Sequence, residues 1–370
     1  MRRHLVAVAA MLALVSCSWG WSASAQAALN PRASYVDVSE RRAELAGASE
    51  RVRLAVKQLD TCSAQAVVDA PTGPMRIPRH YLNGSHGPTN PAEHAATVAY
   101  SRFENRVTAG MNRYLATGDL VEARCAQDQI DLWARAATLL DYDAEQNSQS
   151  WYQVEWTLSS VATSESVLVN DTWLDRPELE RDLSWMNKVA HHMIGFPAAA
   201  THHNNHHYWR GLGATATGVV TGDRKLFDFG VAAYKDAVNE IDQRGAFPQE
   251  MQRSERSIHY QSFALQPLLT IAELAERQGV HLYAYKSASG RTIADAIDFL
   301  GRAVADPSVV KPYTADEQMV DADATDFFAS LEFYTHRFPE RKLPTPMVEA
   351  LKSPVFATRL GGSTTVIAGR

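Results

Sequence analysis

The sequence predicts an all-α fold, with antiparallel helical hairpins closed or partly closed into a barrel. Three observations predict it. Apolar residues recur at helical intervals along most of the 370-residue chain. Turn and cap chemistry separates neighbouring periodic segments, as at Gly222-Asp223 and Arg244-Gly245. Strand-like alternation is scarce, and only Thr364-Thr365-Val366-Ile367 reads as β-prone. No repeat of fixed period is present, which argues against a strict solenoid.

Taken in order, residues 1–27 read as an export signal rather than part of the fold. Arg2 and Arg3 precede an apolar run from Leu5 to Val15, and Ala25-Gln26-Ala27 offers a small-residue cleavage site. The run is too short to span a bilayer, and no later segment is long and apolar enough. Leu14-Val15-Ser16-Cys17 also fits a lipoprotein box, with Cys17 as the lipidated residue. Either route predicts a periplasmic protein. Residues 28–370 then form a single all-α domain. Residues 40–59 place Leu45, Val52, Val56 and Leu59 on one face, and 91–116 follow an evident break. Residues 120–140 carry Ile130, Leu132, Trp133 and Ala137 at helical intervals. The pattern continues through 150–168, 178–194, 206–220, 225–241, 254–278 and 290–304.

Two stretches resist a helical reading. Residues 70–90 hold Pro71, Pro74, Pro78, Gly84, Gly87 and Pro88 beside Arg76, Arg79, His80 and Tyr81. A polar loop of that length is a candidate lid. Residues 306–326 are a second long connection, rich in acids. Cys62 and Cys125 remain after an export signal is removed. In an oxidising compartment they are expected to bridge, the alternative being two separate buried thiols.

Composition excludes several classes. The chain is 45% hydrophobic and 21% charged, as soluble globular proteins are, so disorder and disulfide-dense miniproteins are ruled out. Its 36 basic and 42 acidic residues give a net charge of −6, and loss of Arg2 and Arg3 makes it two charges more acidic. A whole-surface footprint for nucleic acid is therefore not expected. Taken alone, the charge argues weakly against any polyanionic partner.

The chemistry concentrates in two segments. Six of the 13 histidines lie between His191 and His207, around Thr201-His202-His203-Asn204-Asn205-His206-His207-Tyr208-Trp209-Arg210. A plain helix start explains any one of these residues, with Asn204 or Asn205 as N-cap and Trp209 in the core. It explains the cluster less well. His202/His206 and His203/His207 have the i, i+4 spacing of paired metal ligands. No Glu completes a His-Glu-x-x-His pattern, however, and no later set has ligand spacing, so no metal site is predicted. Gly211-x-Gly213 with Gly218 follows no strand and is not a dinucleotide fingerprint, so no cofactor is predicted either. In the second segment, 249–260, Arg253, Arg256 and Tyr260 share one helical face.

Together, Asn204-Asn205-His206-x-Tyr208-Trp209 and Arg253 with Tyr260 seven residues on resemble polysaccharide lyase family 5, the alginate lyases of mannuronate type. His206 and Tyr260 lie 54 residues apart, which suits that layout. Supporting similarity includes Leu226-Phe227-Asp228, residues 239–242 and 260–272, and Arg359-Leu360-Gly361-Gly362. The resemblance implies an incomplete (α/α) toroid with a central cleft, and eliminative cleavage of a uronic-acid polymer. It implies that Asn205, His206 and Arg253 neutralise and position a carboxylate and that Tyr260 is the catalytic tyrosine. Tyr81, before Leu82-Asn83-Gly84-Ser85, matches the family's lid tyrosine, while His80 stands where the family has Lys.

The chemistry suits these residue types. A proton α to a carboxylate is barely acidic until the carboxylate's charge is neutralised and the developing dianion is stabilised. Arg253 offers a planar cationic fork, Asn205 an amide donor, and His206 either a donor or a base. Tyr260 serves as base only with a lowered pKa, for which Arg253 or Arg256 is the expected cause. Tyr81, His80, Arg79, Trp156, His207, Tyr208, Trp209 and Arg256 are the candidate substrate contacts. Trp151 and Tyr152 offer further stacking surface, although helical spacing equally allows each aromatic a place in the core. The expected partner is an anionic polysaccharide, alginate or polymannuronate first and polyglucuronate or hyaluronan as broader alternatives. A non-catalytic exopolysaccharide binder is the reading from another class. A monomer is expected, with a net-acidic exterior and a basic cleft.

Overall fold

The computed structural model describes residues 27–83, 86–169, 176–200 and 203–370. Residues 1–26 of the expected export signal, Cys17 among them, and Gly84, Ser85 and His202 lie outside the described residues. Short polar side chains set the helix starts by accepting from free backbone N–H groups. Asp37 caps α1 (Val38–Ala46), Ser49 caps α2 (Glu50–Lys57) and Asn90 caps α3 (Pro91–Thr117). Asp119 caps α4 (Leu120–Arg135), and Asn147 caps α5 (Ser148–Leu168). After α6 (Arg176–Gly195), Asn204 caps α7 (Asn205–Thr221) and Asp223 caps α8 (Arg224–Glu240). Gly118 (φ 75°) and Gly222 (φ 71°) end α3 and α7 in the left-handed conformation, so each chain reversal is a Gly-Asp pair that stops one helix and caps the next. The chain continues through α9 (Ser257–Arg277), α10 (Ile293–Ala305), α11 (Leu331–Arg337), α12 (Thr345–Ala350) and α13 (Thr364–Ala368).

The helices form two layers. Helices α3, α5, α7 and α9 pack side by side as an inner row, and α4, α6, α8 and α10 back them as hairpin partners. Of the inner helices, α5, α7 and α9 are buried almost all round, which explains why they are apolar without a strong stripe. A 3₁₀ turn at Thr358–Leu360 touches α3, α5 and α9, and α13 packs on α1, α2, α3 and α11, so the C-terminal segment joins the two ends of the row. One hydrophobic cluster runs from Tyr35 to Ala368. Among the described residues, no helix is long and apolar enough to cross a membrane.

Three local expectations change. The helix expected over 40–59 is two helices, broken at Gly47-Ala48-Ser49. The β-prone Thr364–Ile367 stretch is helical. Ser363 caps it, and Thr365 Oγ1 is spent on Val355 N (2.9 Å) and Glu332 (2.7 Å), so tertiary bonds override β-branched propensity. The 70–90 loop contains a hairpin, β1 (Tyr81–Asn83) paired antiparallel with β2 (His86–Thr89).

Cys62 and Cys125 are bridged, tying the chain before α3 to α4 across a separation of 63 residues. Closing a loop of that length in the unfolded chain is worth about 4 kcal/mol. Cys125→Ser is therefore expected to lower Tm under oxidising conditions and to lose the wild type's sensitivity to reductant. Wild-type Tm unchanged by reductant would contradict this.

Two buried acids make stability depend on pH. Glu165 on α5 is pushed well above the carboxylate range by burial and then by Asp182. Asp182 on α6 is pushed up to about 8 by burial, with Asp131 adding to it. Raised folded-state values mean that their contribution is full below the unfolded pKa of about 4 and is lost as pH rises through the folded values. Glu165→Gln should therefore raise Tm at pH 8 and change it little at pH 4. Equal shifts at both pH values in thermal melts would reject the assignment.

Candidate active site

The N-terminal turn of α7 meets a bent segment before α9. Between these two, Glu250 is fully buried, accepting from Asn205 N (2.6 Å) and Asn205 Nδ2 (2.9 Å) and lying 3.6 Å from Arg253 Nε. One carboxylate thus aims both an amide and a guanidinium. Asn205 Oδ1 is buried with no partner among the described residues. Ser254 takes a left-handed conformation (φ 55°), rare for a residue with a side chain and costing about 1 kcal/mol. Its carbonyl accepts from Gln318 Nε2 (2.9 Å) and Ser257 Oγ (3.0 Å), which holds the bend that places Arg253. The 306–326 connection supplies Gln318, and its Met319 N donates to Glu255 O (2.7 Å). Its role here is to brace the arginine segment.

Arg253 sits over the ring of Tyr260, 4.6 Å from the centroid. Tyr260 Oη donates to Tyr81 Oη (3.1 Å) across the lid hairpin. Arg256 stacks over Tyr81 (4.9 Å) and reaches Gly87 O (3.4 Å), while Gly87 N donates to Glu255 (3.1 Å). The hairpin therefore lies closed on the arginine segment. Burial raises the Tyr260 phenol far above its usual value, Tyr81 raises it further, and Arg253 only partly opposes them. The expected lowering by nearby arginine is thus overturned in the closed site, where Tyr260 rests as a neutral phenol.

His206 Nδ1 lies 3.0 Å from Glu155 on α5, whose other oxygen accepts from Arg210 (2.6 Å). Glu155 is fully buried, and Tyr152 stacks on the imidazole with centroids 3.4 Å apart. Burial lowers the His206 pKa, and with Arg210 and Arg253 it outweighs the opposing pull of Glu155. A neutral ring donating from Nδ1 keeps a lone pair on Nε2. Trp156 is 6.0 Å from His206 and carries Arg359 over its face at 4.5 Å.

The structure therefore brings together Asn205, His206, Arg253, Tyr260, Tyr81, Arg256 and Trp156. It does not bring the other candidate contacts. His207 is buried on another side of α7, against Phe229 and Asp236, because successive helical residues point about 100° apart. Tyr208 packs on Phe247 and Trp209 on Phe263, with 1% and 0% of their surface exposed, so neither has a face for a polymer. His80 is engaged by Glu93 (3.2 Å), and Arg79 is exposed, its carbonyl accepting from Asn90. Trp151 is core too, its indole bonded to Met193 O. Sequence reasoning missed Glu155, Glu250 and the position of Arg359. Only the Arg359-Leu360-Gly361-Gly362 similarity pointed to the last.

A two-layered helical ring with an Arg–Tyr–Asn–His cluster on its inner wall defines the class, a polysaccharide lyase of (α/α)-toroid fold. The chain belongs to the alginate lyase family, whose model matches residues 48–310. A polysaccharide lyase of Stenotrophomonas maltophilia (strain K279a) is 30% identical over 332 residues, covering 86% of this chain and 96% of its own length. An alginate lyase of Pseudomonas syringae pv. syringae is 29% identical over 285 residues, 74% of this chain and 72% of its own. The crystal structure of alginate lyase A1-III from Sphingomonas species A1 superposes with a TM-score of 0.85 at 38% identity, covering 93% of this chain and 98% of that one. A histidine-to-alanine and a tyrosine-to-phenylalanine variant of A1-III, each complexed with tetrasaccharide, superpose at 0.87.

Proposed function

We propose that this lyase cleaves alginate, preferring mannuronate, by β-elimination at the cluster around Tyr260. The observation that carries the reading is the meeting of four groups at one wall. A phenol, a guanidinium, an amide and an imidazole converge there, with the carboxylates that aim them buried behind. Negative charge lies beneath this wall and cations lie above it, on aromatic faces. In this reading that local concentration of cations is what draws an anionic polymer to a net-acidic protein. The spacing adds support. The two A1-III variants captured with tetrasaccharide alter a histidine and a tyrosine 54 positions apart in that chain, the same separation as His206 and Tyr260 here.

In this scheme the C5 carboxylate takes the fork of Arg253 and the amide of Asn205. A carboxylate at His206 Nε2 puts a second anion beside the ring, opposite Glu155, and draws a proton onto it. Neutralisation makes H5 acidic enough to leave. The bound sugar replaces Tyr81 as the partner of Tyr260, removing one cause of the raised phenol while Arg253 remains. Tyr260, having first released its own proton to solvent, takes H5. The C5–H pair becomes the C4=C5 bond, the C4–O4 bond breaks, and the proton passes from Tyr260 to the departing O4. In mannuronate and glucuronate H5 and O4 lie on one side of the ring, so one tyrosine serves both transfers. In guluronate they lie on opposite sides, and His206 is the group for the second face, where it must stay neutral to act as base while Arg253 and Asn205 alone neutralise the carboxylate. Arg359, held over the face of Trp156, binds a neighbouring sugar's carboxylate by charge. The scheme uses no cofactor.

Residues 1–27 export the chain to the periplasm, and residues 28–370 act there as a single monomeric lyase domain. The decisive experiment is an activity panel over polymannuronate, polyguluronate, polyglucuronate and hyaluronan, read by the ultraviolet absorbance of the unsaturated product end. Fastest turnover on polymannuronate is expected. Preference for hyaluronan would move the substrate assignment, and silence on all four would sink the reaction.

A further inference from the structure

We infer that Glu104 is a specificity-determining residue for the neighbouring sugar at Arg359, reading that unit's ring hydroxyls while Arg359 takes its carboxylate. The inference rests on the proposed binding of a sugar carboxylate by Arg359 and adds a second recognition group to the same subsite. Arg359 lies on the 3₁₀ turn at Thr358–Leu360, which touches α3, α5 and α9. Its guanidinium is 4.5 Å from the ring of Trp156 and 5.5 Å from that of Phe263. A cleft of about 330 Å³ adjoins it, lined among others by Glu104 on α3, Gln266 on α9, Asp326 and Phe356. That volume falls in the range of small-ligand sites.

An acid in a cleft for a polyanion needs a reason. Glu104 is buried, and its partners on α5 are neutral. Its Oε1 accepts from Thr157 Oγ1 (2.6 Å) and Gln153 Nε2 (3.1 Å). Among the described residues no donor is bonded to Oε2. Thr157 and Gln153 thus anchor one oxygen of the carboxyl and leave the other for a ligand. Burial pushes Glu104 up to about 7, against the pull of Thr157, Arg359 and Gln153. Both of its forms are therefore populated near neutral pH.

That balance selects the sugar group it can pair with. A sugar carboxylate only accepts, and the ionised form repels it. A hydroxyl donates to the carboxylate and accepts from the acid, so it pairs with Glu104 in either state. Arg359 and Asp326 are the charged groups lining the cleft beside it, and Gln266 is tied to Asp326 O (3.0 Å). Phe356 is exposed and offers an apolar face for the C–H groups of the same ring. A uronate carries its carboxylate on C5 and its free hydroxyls on C2 and C3, across the ring. One sugar can therefore meet Arg359 with one edge and Glu104 with the other.

The test is calorimetric binding to the full mature chain carrying Tyr260→Phe, so that no ligand is cleaved. The ligands are mannuronate tetrasaccharide and the same tetrasaccharide methylated at O2 and O3. The parent should prefer the free hydroxyls. Adding Glu104→Met, apolar and of similar length, should cut that preference by about tenfold or more, through weaker binding of the free-hydroxyl ligand. Adding Glu104→Gln, which keeps a hydrogen-bonding group there, should retain most of it. A Glu104 that serves only the fold would weaken both ligands equally, so an unchanged preference in Glu104→Met overturns the assignment. Failure of the parent to bind either ligand would sink the substrate reading, and this inference with it. A crystal of the parent with tetrasaccharide guards against a misfolded Met variant. A sugar hydroxyl within about 3.0 Å of Glu104 Oε2 supports the inference, and an Oε2 that meets no sugar atom overturns it.

Discussion

Tyr260→Phe is expected to lower kcat by about 10²–10⁴-fold, with KM changed little. The substitution removes one oxygen, the atom bonded to Tyr81 Oη, and keeps the ring that carries Arg253. Carboxylate binding through Arg253 and Asn205 therefore persists while the proton has no carrier. A purely structural tyrosine would give the opposite split, with KM raised and kcat kept. The pH profile is a second readout. Because burial holds the resting phenol far above its usual range, the ionised fraction grows about tenfold per pH unit throughout the working range. Wild-type log kcat/KM should rise with pH with a slope near +1 from about pH 7 to 9, and the Phe variant should lose that slope. A flat wild-type profile would assign the first proton transfer to another group.

The fold was legible because long amphipathic segments and Gly-Asp reversals are local signals. Residues 206–220 and 225–241 needed only the period and the turn between them. Failures came where long-range bonds decide local form, as in the helix from Thr364, whose threonine is held by Glu332 and Val355 N. The same holds for the site. Asn205, His206, Arg253 and Tyr260 carry distinctive side chains in a recognisable order. Glu155 and Glu250 look like ordinary helix carboxylates, and only packing shows that each is fully buried against two of the site's polar groups. His207, Tyr208 and Trp209 show the converse. Their proximity in sequence to His206 suggested a shared surface, while a helix turns each of them towards a different neighbour.

Glu155→Gln is expected to damage both stability and turnover, and a double variant separates the two. Glu155 has no exposed surface and joins His206 Nδ1 to Arg210, a guanidinium that is 1% exposed and stacked on Trp151. Removing one member of a buried ion pair costs about 3–5 kcal/mol, because the remaining charge loses its carboxylate in a medium that solvates it poorly. At about 2–4 °C per kcal/mol in a chain of this size, Tm should fall by about 10 °C. Turnover should fall as well, since the neutral amide no longer favours a proton on His206 when a substrate carboxylate arrives. Replacing the pair by neutral groups of similar volume, as in Glu155→Gln with Arg210→Met, removes the orphaned charge and should recover most of the lost Tm. If Glu155 acts through His206, kcat stays low in this restored protein. Recovery of kcat together with Tm would show that Glu155 serves only the fold, and that His206 needs no carboxylate behind it.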